Sequence, residues 1–217
     1  MNRHAAVLTG DLIGSTKASP EAVSAAMQDI QDTTKRLDVP LVFTRFRGDG
    51  WQFYLEKPGL ALATALLIAA TLRAAGGLES RIAIGLGDAT FTSTPKSPAM
   101  PDLGAASGLA FTASGRALDA MPKNRWLALA GEGVDKLHER LISFIDMRIT
   151  KWSREQTEVL KVALGPRADV TQEWMANQLG ITRQAVAARL SAADFIQINA
   201  AAGDFLSHFG GEWPTDD

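Results

Sequence analysis

One apolar stretch, LALATALLIAATL from Leu60 to Leu72, constrains the fold of this chain more than any other segment. It contains no charged residue, so a helix formed by it is apolar on all sides and has to be buried. A membrane span requires roughly 20 such residues, and this run is shorter because Arg73 and Gly76-Gly77 end it. The stretch therefore predicts a core helix packed against a sheet.

Hydrophobic patterning and turn residues predict a mixed order of strands and helices around this core helix. The predicted strands are Ala5–Gly10, Leu41–Phe46, Trp51–Leu55, Arg81–Gly87 and Trp126–Ala130, and the further predicted helices are Pro20–Leu37, Gly108–Met121 and Val134–Trp152. Residues 92–107 are predicted to form a loop. The order β-α-ββ-α-β-α-β combines hairpins with crossovers, which favours an α/β or α+β fold with a mixed sheet.

The chain changes character after Trp152, where every predicted element is a helix. Ser153 and Gln156 form a capping-box pattern at the start of one helix. Gly165-Pro166 breaks that helix, and two short helices follow that are joined by a turn at Gly180. Such a pair is typical of a helix-turn-helix. We expect an α/β domain over residues 1–150 and a small all-α domain over residues 151–217.

Composition argues against several classes of site and partner. The 217 residues include no cysteine, which excludes disulfides and thiolate metal sites. The three histidines, His4, His138 and His208, are too scattered for a histidine-rich zinc site. A net charge of −2 provides no general attraction to nucleic acid or to anionic membranes. No secretion signal is visible before Asp11, so we expect a cytoplasmic protein that does not bind a membrane.

Two aspartates lie in short glycine-flanked motifs. Asp11 follows the first strand and precedes Gly14-Ser15-Thr16, a turn rich in hydrogen-bond donors, while Asp49 follows Gly48 at the tip of the predicted hairpin. If the fold brings these two tips together, two carboxylates lie beside backbone N–H groups. That arrangement suits Mg²⁺ or Mn²⁺ bound to the phosphates of a nucleotide or a related ligand.

Each residue of this group also has an ordinary structural interpretation. Asp-Gly pairs are common in tight hairpin turns, which would give Asp49 a structural role. Asp11 could cap a turn or the helix that begins at Pro20. Arg116, on a predicted helix, could be a solvated or salt-bridged surface residue. These alternatives stay open at the level of the single residues.

Four motifs, taken together and in order, resemble those of class III nucleotide cyclases. They are Asp11-Leu12-Ile13-Gly14-Ser15-Thr16, Arg45-Phe46-Arg47-Gly48-Asp49-Gly50, Arg81-Ile82-Ala83-Ile84-Gly85-Leu86-Gly87, and the helix from Gly108 to Leu118, GLAFTASGRAL. The whole chain, with its terminal helix-turn-helix pattern, resembles the SatD family more closely still. The resemblance implies a cyclase-like, ferredoxin or palm-type mixed sheet with helices, followed by the helix-turn-helix domain.

The resemblance also implies roles for individual residues. It assigns the metal ions to Asp11 and Asp49, and stabilisation of the transferring phosphate to Arg116. Thr112 stands where the cyclases have a ribose-positioning asparagine, and Arg45 stands where they have a base-reading lysine. The remaining cofactor-binding residues that it implies are Gly14, Ser15, Thr16 and Gly48.

Recognition of the base and ribose therefore differs from the cyclase pattern, while the metal pair is kept. Ala105 also replaces an acidic base-reading residue of the cyclases. Binding of a nucleotide or another phosphate ligand is accordingly a stronger expectation than cyclisation. In cyclases the metal aspartates and the arginine come from different subunits, which implies a head-to-tail homodimer.

The second helix of the helix-turn-helix carries the candidate DNA-binding residues. Thr182, Arg183 and Gln184 lie at its start, where base edges are usually contacted, and Arg189 lies further along. Residues 151–217 contain six Lys/Arg and nine Asp/Glu, which is unfavourable for phosphate contacts unless the cations share one face. The alternative is a three-helix module used for dimerisation or docking.

Three hypotheses follow from the sequence. The first is a cytoplasmic, homodimeric, DNA-binding regulator whose cyclase-like domain binds a metal–nucleotide or related phosphate ligand. The second is an active metal-dependent nucleotidyl cyclase or transferase, in which the C-terminal module serves targeting or dimerisation. The third is a degenerate cyclase fold that serves only protein interaction.

Overall fold

The computed structural model describes residues 3–34, 37, 41–46, 48–91, 103, 106–164 and 170–210. Within these ranges the chain forms six strands and eight α-helices. The strands are β1 (Arg3–Leu12), β2 (Leu41–Phe46), β3 (Gly50–Leu55), β4 (Ser80–Phe91), β5 (Ala106–Ser107) and β6 (Leu127–Gly131). The helices are α1 (Pro20–Thr34), α2 (Ala61–Ala75), α3 (Leu109–Asp119), α4 (Lys136–Ile149), α5 (Arg154–Ala163), α6 (Gln172–Leu179), α7 (Arg183–Ala192) and α8 (Phe195–His208).

The strands form one curled, mostly antiparallel sheet with β1 between β3 and β4. The order is β2-β3-β1-β4, and β5 pairs with the far end of β4 at Thr90 and Phe91. β6 runs parallel to β4 along residues 82–86. β1 pairs antiparallel with β3 on one side and with β4 on the other. The end of β1 therefore lies between the start of β3 and the start of β4.

Successive residues of β1 point to opposite faces of the sheet, and each face is covered by helices. Ala6, Leu8 and Leu12 belong to the larger core, which also contains α2, whereas Ala5 and Val7 belong to a smaller core with α3. The larger core contains the buried α2 residues Leu62, Leu66, Leu67 and Ile68. The predicted core helix is therefore confirmed, and it is buried on most of its sides.

The segment Pro58–Ala75 is long and apolar enough to cross a membrane by composition alone. In the folded chain 67% of it is buried inside the protein. A helix that is covered by its own protein in this way is typical of the core of a soluble protein.

α3 approaches the other face of the sheet unusually closely. A Cβ atom added at Gly85 of β4 would lie 2.1 Å from the backbone oxygen of Ala110 and 2.4 Å from the backbone nitrogen of Ser114. The Ser114 hydroxyl also lies 2.8 Å from the Thr9 hydroxyl of β1, where both side chains are buried. Gly85 therefore permits the contact that fixes α3 against β1 and β4.

The C-terminal helices share the larger core with the sheet. Buried residues of α5, α7 and α8, such as Leu160, Val186 and Phe205, belong to the same apolar cluster as α2. The Trp152 indole, between α4 and α5, donates a hydrogen bond to the Ala193 carbonyl at 3.2 Å. The apolar core is thus continuous across residue 150, and the division into domains at that residue stays a prediction.

Most predicted elements are present, with three differences. β4 continues past Gly87 to Phe91, because β1 pairs with it as far as Ala89 and β5 pairs with Thr90 and Phe91. The predicted loop ends in β5 at Ala106–Ser107, and residues 92–102, 104 and 105, which include Ala105, lie outside the described residues. α8 was not predicted at all.

Substitution Gly85→Ala tests the close approach of α3 to the sheet. Its methyl group would overlap the α3 backbone, so we expect the free energy of unfolding to fall by about 1–3 kcal/mol, measured by urea denaturation. Gly77→Ala is the matched control, since a Cβ there has no neighbour within 4 Å. Equal stability of the two variants would contradict the packing described.

Candidate functional site

The fold brings the two predicted aspartate motifs together. Asp11 is opposite Gly50 in the β1–β3 ladder, and the backbone N–H of Leu12 donates to the Asp49 carbonyl at 3.2 Å. The following N–H, of Ile13, donates to the Glu79 carbonyl at 2.7 Å. The loop after β1 is therefore held between the hairpin and the start of β4.

The hairpin tip differs from a simple Asp-Gly turn. The last cross-strand pair is Phe46 with Gly50, and the left-handed conformation is at Gly48, with φ 80. Only glycine adopts this conformation readily. Asp49 is consequently not needed for the turn, and its carboxylate accepts a short hydrogen bond from the Ser15 hydroxyl.

An open cleft of about 410 Å³ lies between the hairpin tip, the turn after β1 and the start of α1. Its lining residues are Ser15, Thr16, Ala18, Pro20, Val23, Ser24, Arg45, Gly48 and Asp49. Arg45 curls back onto the tip, where its Nε donates to the Gly48 carbonyl at 2.7 Å. Gly14 precedes this lining in a left-handed conformation, with φ 78, and so turns the chain into it. The cleft combines hydroxyl groups, one arginine and one carboxylate.

Asp11 is not among the residues that line this cleft. Its carboxylate is bound by an arginine that the sequence did not identify as a site residue. Arg81 lies directly opposite Asp11 on β4, and its guanidinium binds both carboxylate oxygens, with Nε 2.9 Å from Oδ1. Hydrogen bonding to Asp11 raises the pKa of Arg81 above its ordinary value, so this guanidinium stays charged. The signal for Arg81 was its place at the head of the third cyclase-like motif.

Buried contacts beneath the site fix the backbone of Asp11. The Ser80 hydroxyl donates to the Asp11 carbonyl at 2.8 Å and accepts from the Trp51 indole at 3.0 Å. The Trp51 ring packs so closely on Gly10 that a Cβ there would lie 2.3 Å from it. Gly10 is thus required by the ring of Trp51, and the end of β1 is rigidly placed.

The two residues expected from α3 are exposed on that helix. Thr112 is exposed, and its hydroxyl donates to the Gly108 carbonyl at 3.0 Å within the helix. Arg116 is exposed one turn further on. Neither lines the cleft.

The donor set at the cleft is suited to a magnesium or manganese ion held jointly with a phosphate ligand. Magnesium proteins commonly supply only one or two carboxylates and leave the other positions to phosphates and water. Asp11 and Asp49 supply two, and the part of the chain described here has no cluster of three or more His, Cys, Asp or Glu around one point. An ion at Asp11 has to compete with Arg81 for the same oxygens.

The candidate DNA-binding residues fall into two groups. Thr182 is the N-cap of α7, where its hydroxyl accepts from the Ala185 N–H at 3.1 Å, while Arg183 and Gln184 are exposed on the first turn. Arg189 instead faces α5, 3.3 Å from the carboxylate of Glu158. Its contact could not be predicted from α7 alone, because it depends on the packing of two helices.

No protein-family model matches this chain, and no curated protein sequence matches it.

Substitution Arg81→Gln tests whether the arginine competes with a cation for Asp11. Removing a charged hydrogen-bond partner frees the carboxylate, so we expect about tenfold tighter Mn²⁺ binding, measured by titration calorimetry. Arg140→Gln on α4 is the control, because it changes the net charge equally at an exposed position. Equal Mn²⁺ affinity in both variants would contradict competition between Arg81 and the ion. Mn²⁺ binding that survives the double substitution Asp11→Asn with Asp49→Asn would show that the ion binds elsewhere.

Proposed function

We propose that the chain is a cytoplasmic regulator that binds a metal–nucleotide or a related phosphate ligand in the cleft and DNA through α6 and α7. The observation that carries the ligand part is the cleft itself. The turn after β1 and the hairpin tip are about 30 residues apart in sequence, yet both line one cavity, with Ser15 and Thr16 from the first and Arg45, Gly48 and Asp49 from the second. Asp11 is opposite Gly50, next to that hairpin tip. The resemblance to the SatD family and to class III cyclases supports the same ligand class.

Each cleft residue has a task that its chemistry supports. The hydroxyl groups of Ser15 and Thr16 donate to phosphate oxygens, and the Arg45 guanidinium binds them as a charged fork. Asp11 and Asp49 hold the divalent ion, which when bound neutralises charge on the phosphates. When the ion displaces Arg81 from Asp11, the Arg81 guanidinium remains beside the ligand as a positive charge. The hydroxyl and guanidinium groups thus bind the phosphates of the ligand, while the two carboxylates bind its divalent ion.

The exposed start of α7 supports DNA as the second ligand. Asp194 is paired with Arg148 of α4, whereas Glu158 engages Arg154 and Arg189 of the C-terminal segment itself. Arg183 and Gln184 remain exposed at the start of α7, and the turn before it has Gly180 in a left-handed conformation. In a helix-turn-helix this part of the second helix contacts base edges in the major groove.

A second candidate function is metal-dependent nucleotidyl cyclase or transferase activity. The observation that favours it is the exposure of Thr112 and Arg116 on the outer side of α3. In a head-to-tail homodimer, both side chains would reach the cleft of the partner subunit, where Arg116 would supply positive charge to the transferring phosphate and Thr112 would stand at the ribose position. A protein-interaction role without a ligand is the third candidate.

Ligand binding is tested with magnesium and inorganic triphosphate, then with each nucleoside triphosphate. We expect Arg45→Gln to weaken binding about tenfold or more, since a charged hydrogen bond to phosphate is lost, while Arg140→Gln leaves it unchanged. Titration calorimetry measures both. Unchanged affinity in Arg45→Gln would place the ligand outside the cleft.

Product analysis by mass spectrometry separates the regulator from the enzyme. For a binding protein, incubation with Mn²⁺ and each nucleoside triphosphate returns the triphosphate intact. A cyclic or transferred product that disappears in both Asp11→Ala and Arg116→Ala would establish the second candidate instead.

DNA binding is tested on the DNA upstream of the protein's own coding sequence. We expect Arg183→Ala to weaken binding by about 1–3 kcal/mol if it contacts a base, or to lower the salt slope by about one if it contacts a phosphate. Fluorescence anisotropy over a range of salt concentrations distinguishes these. Absence of binding by the unmodified protein at low salt would refute the DNA assignment.

A further inference from the structure

One largely buried arginine links the loop beside the ligand cleft to the C-terminal helices. Arg73, in the last turn of α2, has a side chain only 13% exposed. Its Nε donates to the Glu79 carboxylate at 2.5 Å, and its Nη1 donates to the carbonyls of Ile149 at 2.6 Å and Trp152 at 2.9 Å. The guanidinium also lies 4.6 Å from the centre of the Trp126 ring. Arg73 therefore contacts the start of β4, the approach to β6 and the end of α4 together.

On one side these contacts lead to the cleft. Glu79 binds Arg73 with its carboxylate, and its backbone carbonyl accepts the Ile13 N–H at 2.7 Å. Ile13 lies in the loop between Asp11 and the cleft residue Ser15. The next residue, Ser80, binds the Asp11 carbonyl. A ligand that shifts the loop after β1 thus displaces the segment that holds Arg73.

On the other side the contacts lead to α7 and α8. Trp152, whose carbonyl accepts from Arg73, is 5% exposed, and its indole donates to the Ala193 carbonyl at 3.2 Å. Ala193 follows the last residue of α7 and lies one residue before the N-cap of α8. Three side chains, those of Glu79, Arg73 and Trp152, thus link the loop of the cleft to the end of the helix that carries Arg183.

We propose that Arg73 is a positioning residue that transmits ligand binding in the cleft to α7 and α8, which makes the cleft the regulatory site of the C-terminal helices. This inference rests on the proposed function, because it requires a ligand in the cleft. A buried guanidinium cannot give up its partners without a large desolvation cost. When Glu79 moves, Arg73 consequently moves with it and carries the carbonyls of Ile149 and Trp152 along.

Two tryptophan indoles allow the proposal to be tested on the full chain. The Trp51 indole is bonded to Ser80, which binds the Asp11 carbonyl, whereas the Trp152 indole is bonded to Ala193 beyond Arg73. Their N–H resonances, assigned with Trp51→Phe and Trp152→Phe, are followed by NMR while magnesium and inorganic triphosphate are added. We expect both resonances to shift in the unmodified protein. In Arg73→Gln we expect the Trp51 shift to persist and the Trp152 shift to be lost.

Glu79→Gln is the second variant. It leaves the hydrogen bonds from Arg73 to Ile149 and Trp152 in place, so the proposal can still be tested if Arg73→Gln does not fold. It should reduce the Trp152 shift while calorimetry still detects ligand binding. Arg140→Gln, an exposed arginine on α4, is the matched control and should behave like the unmodified protein.

The outcomes distinguish this inference from the proposed function. If calorimetry detects no binding and neither resonance shifts, the proposed function fails, and this inference fails with it. If the ligand binds and Trp51 responds while Trp152 does not, only the inference is overturned. It is equally overturned if Trp152 responds as strongly in Arg73→Gln and Glu79→Gln as in the unmodified protein.

Discussion

The pairing of β1 with β3 on one side and β4 on the other is the constraint on which the remaining structure depends. This register places Asp11 opposite both Gly50 and Arg81. It brings the hairpin tip beside the turn after β1 and leaves the cleft between them. A shift of one residue would send every side chain of β1 to the opposite face. The two apolar cores that contain Ala6 and Val7 exclude such a shift.

The electrostatics of the cleft follow from the same register. The Arg81 guanidinium forms an ion pair with the Asp11 carboxylate within the sheet. The negative charge of one of the two predicted metal ligands is therefore already neutralised by a residue of the same chain. Asp49 is held by Ser15 instead. A divalent ion and an anionic ligand are therefore expected to bind together, since the ion takes Asp11 from Arg81 and the ligand offers Arg81 a replacement.

The convergence of the Asp11 and Asp49 motifs was expected from the sequence because four ordered motifs resemble those of class III cyclases, and the β1–β3 pairing does place the two motifs side by side. The contact of Arg81 with Asp11 was not predicted, since strand register depends on packing over the whole sheet. For the same reason the attachment of Arg189 to Glu158 was not visible in α7. Helix α8 was missed although its sequence has a helical pattern: Ile198, Ala202 and Phe205 recur at helical spacing and are buried. Gly203 within the helix lowers its helix propensity.

The location of a bound ligand tests the central claim most directly. A crystal structure after soaking with Mn²⁺ and a non-hydrolysable nucleoside triphosphate analogue would provide it. We predict an anomalous peak for Mn²⁺ between the carboxylates of Asp11 and Asp49, with phosphate density against Ser15, Thr16 and Arg45 and with Arg81 turned from Asp11 to a phosphate. Ordered analogue bound outside the cleft, or a cleft that stays empty at saturating ligand while Arg81 keeps Asp11, would contradict the account.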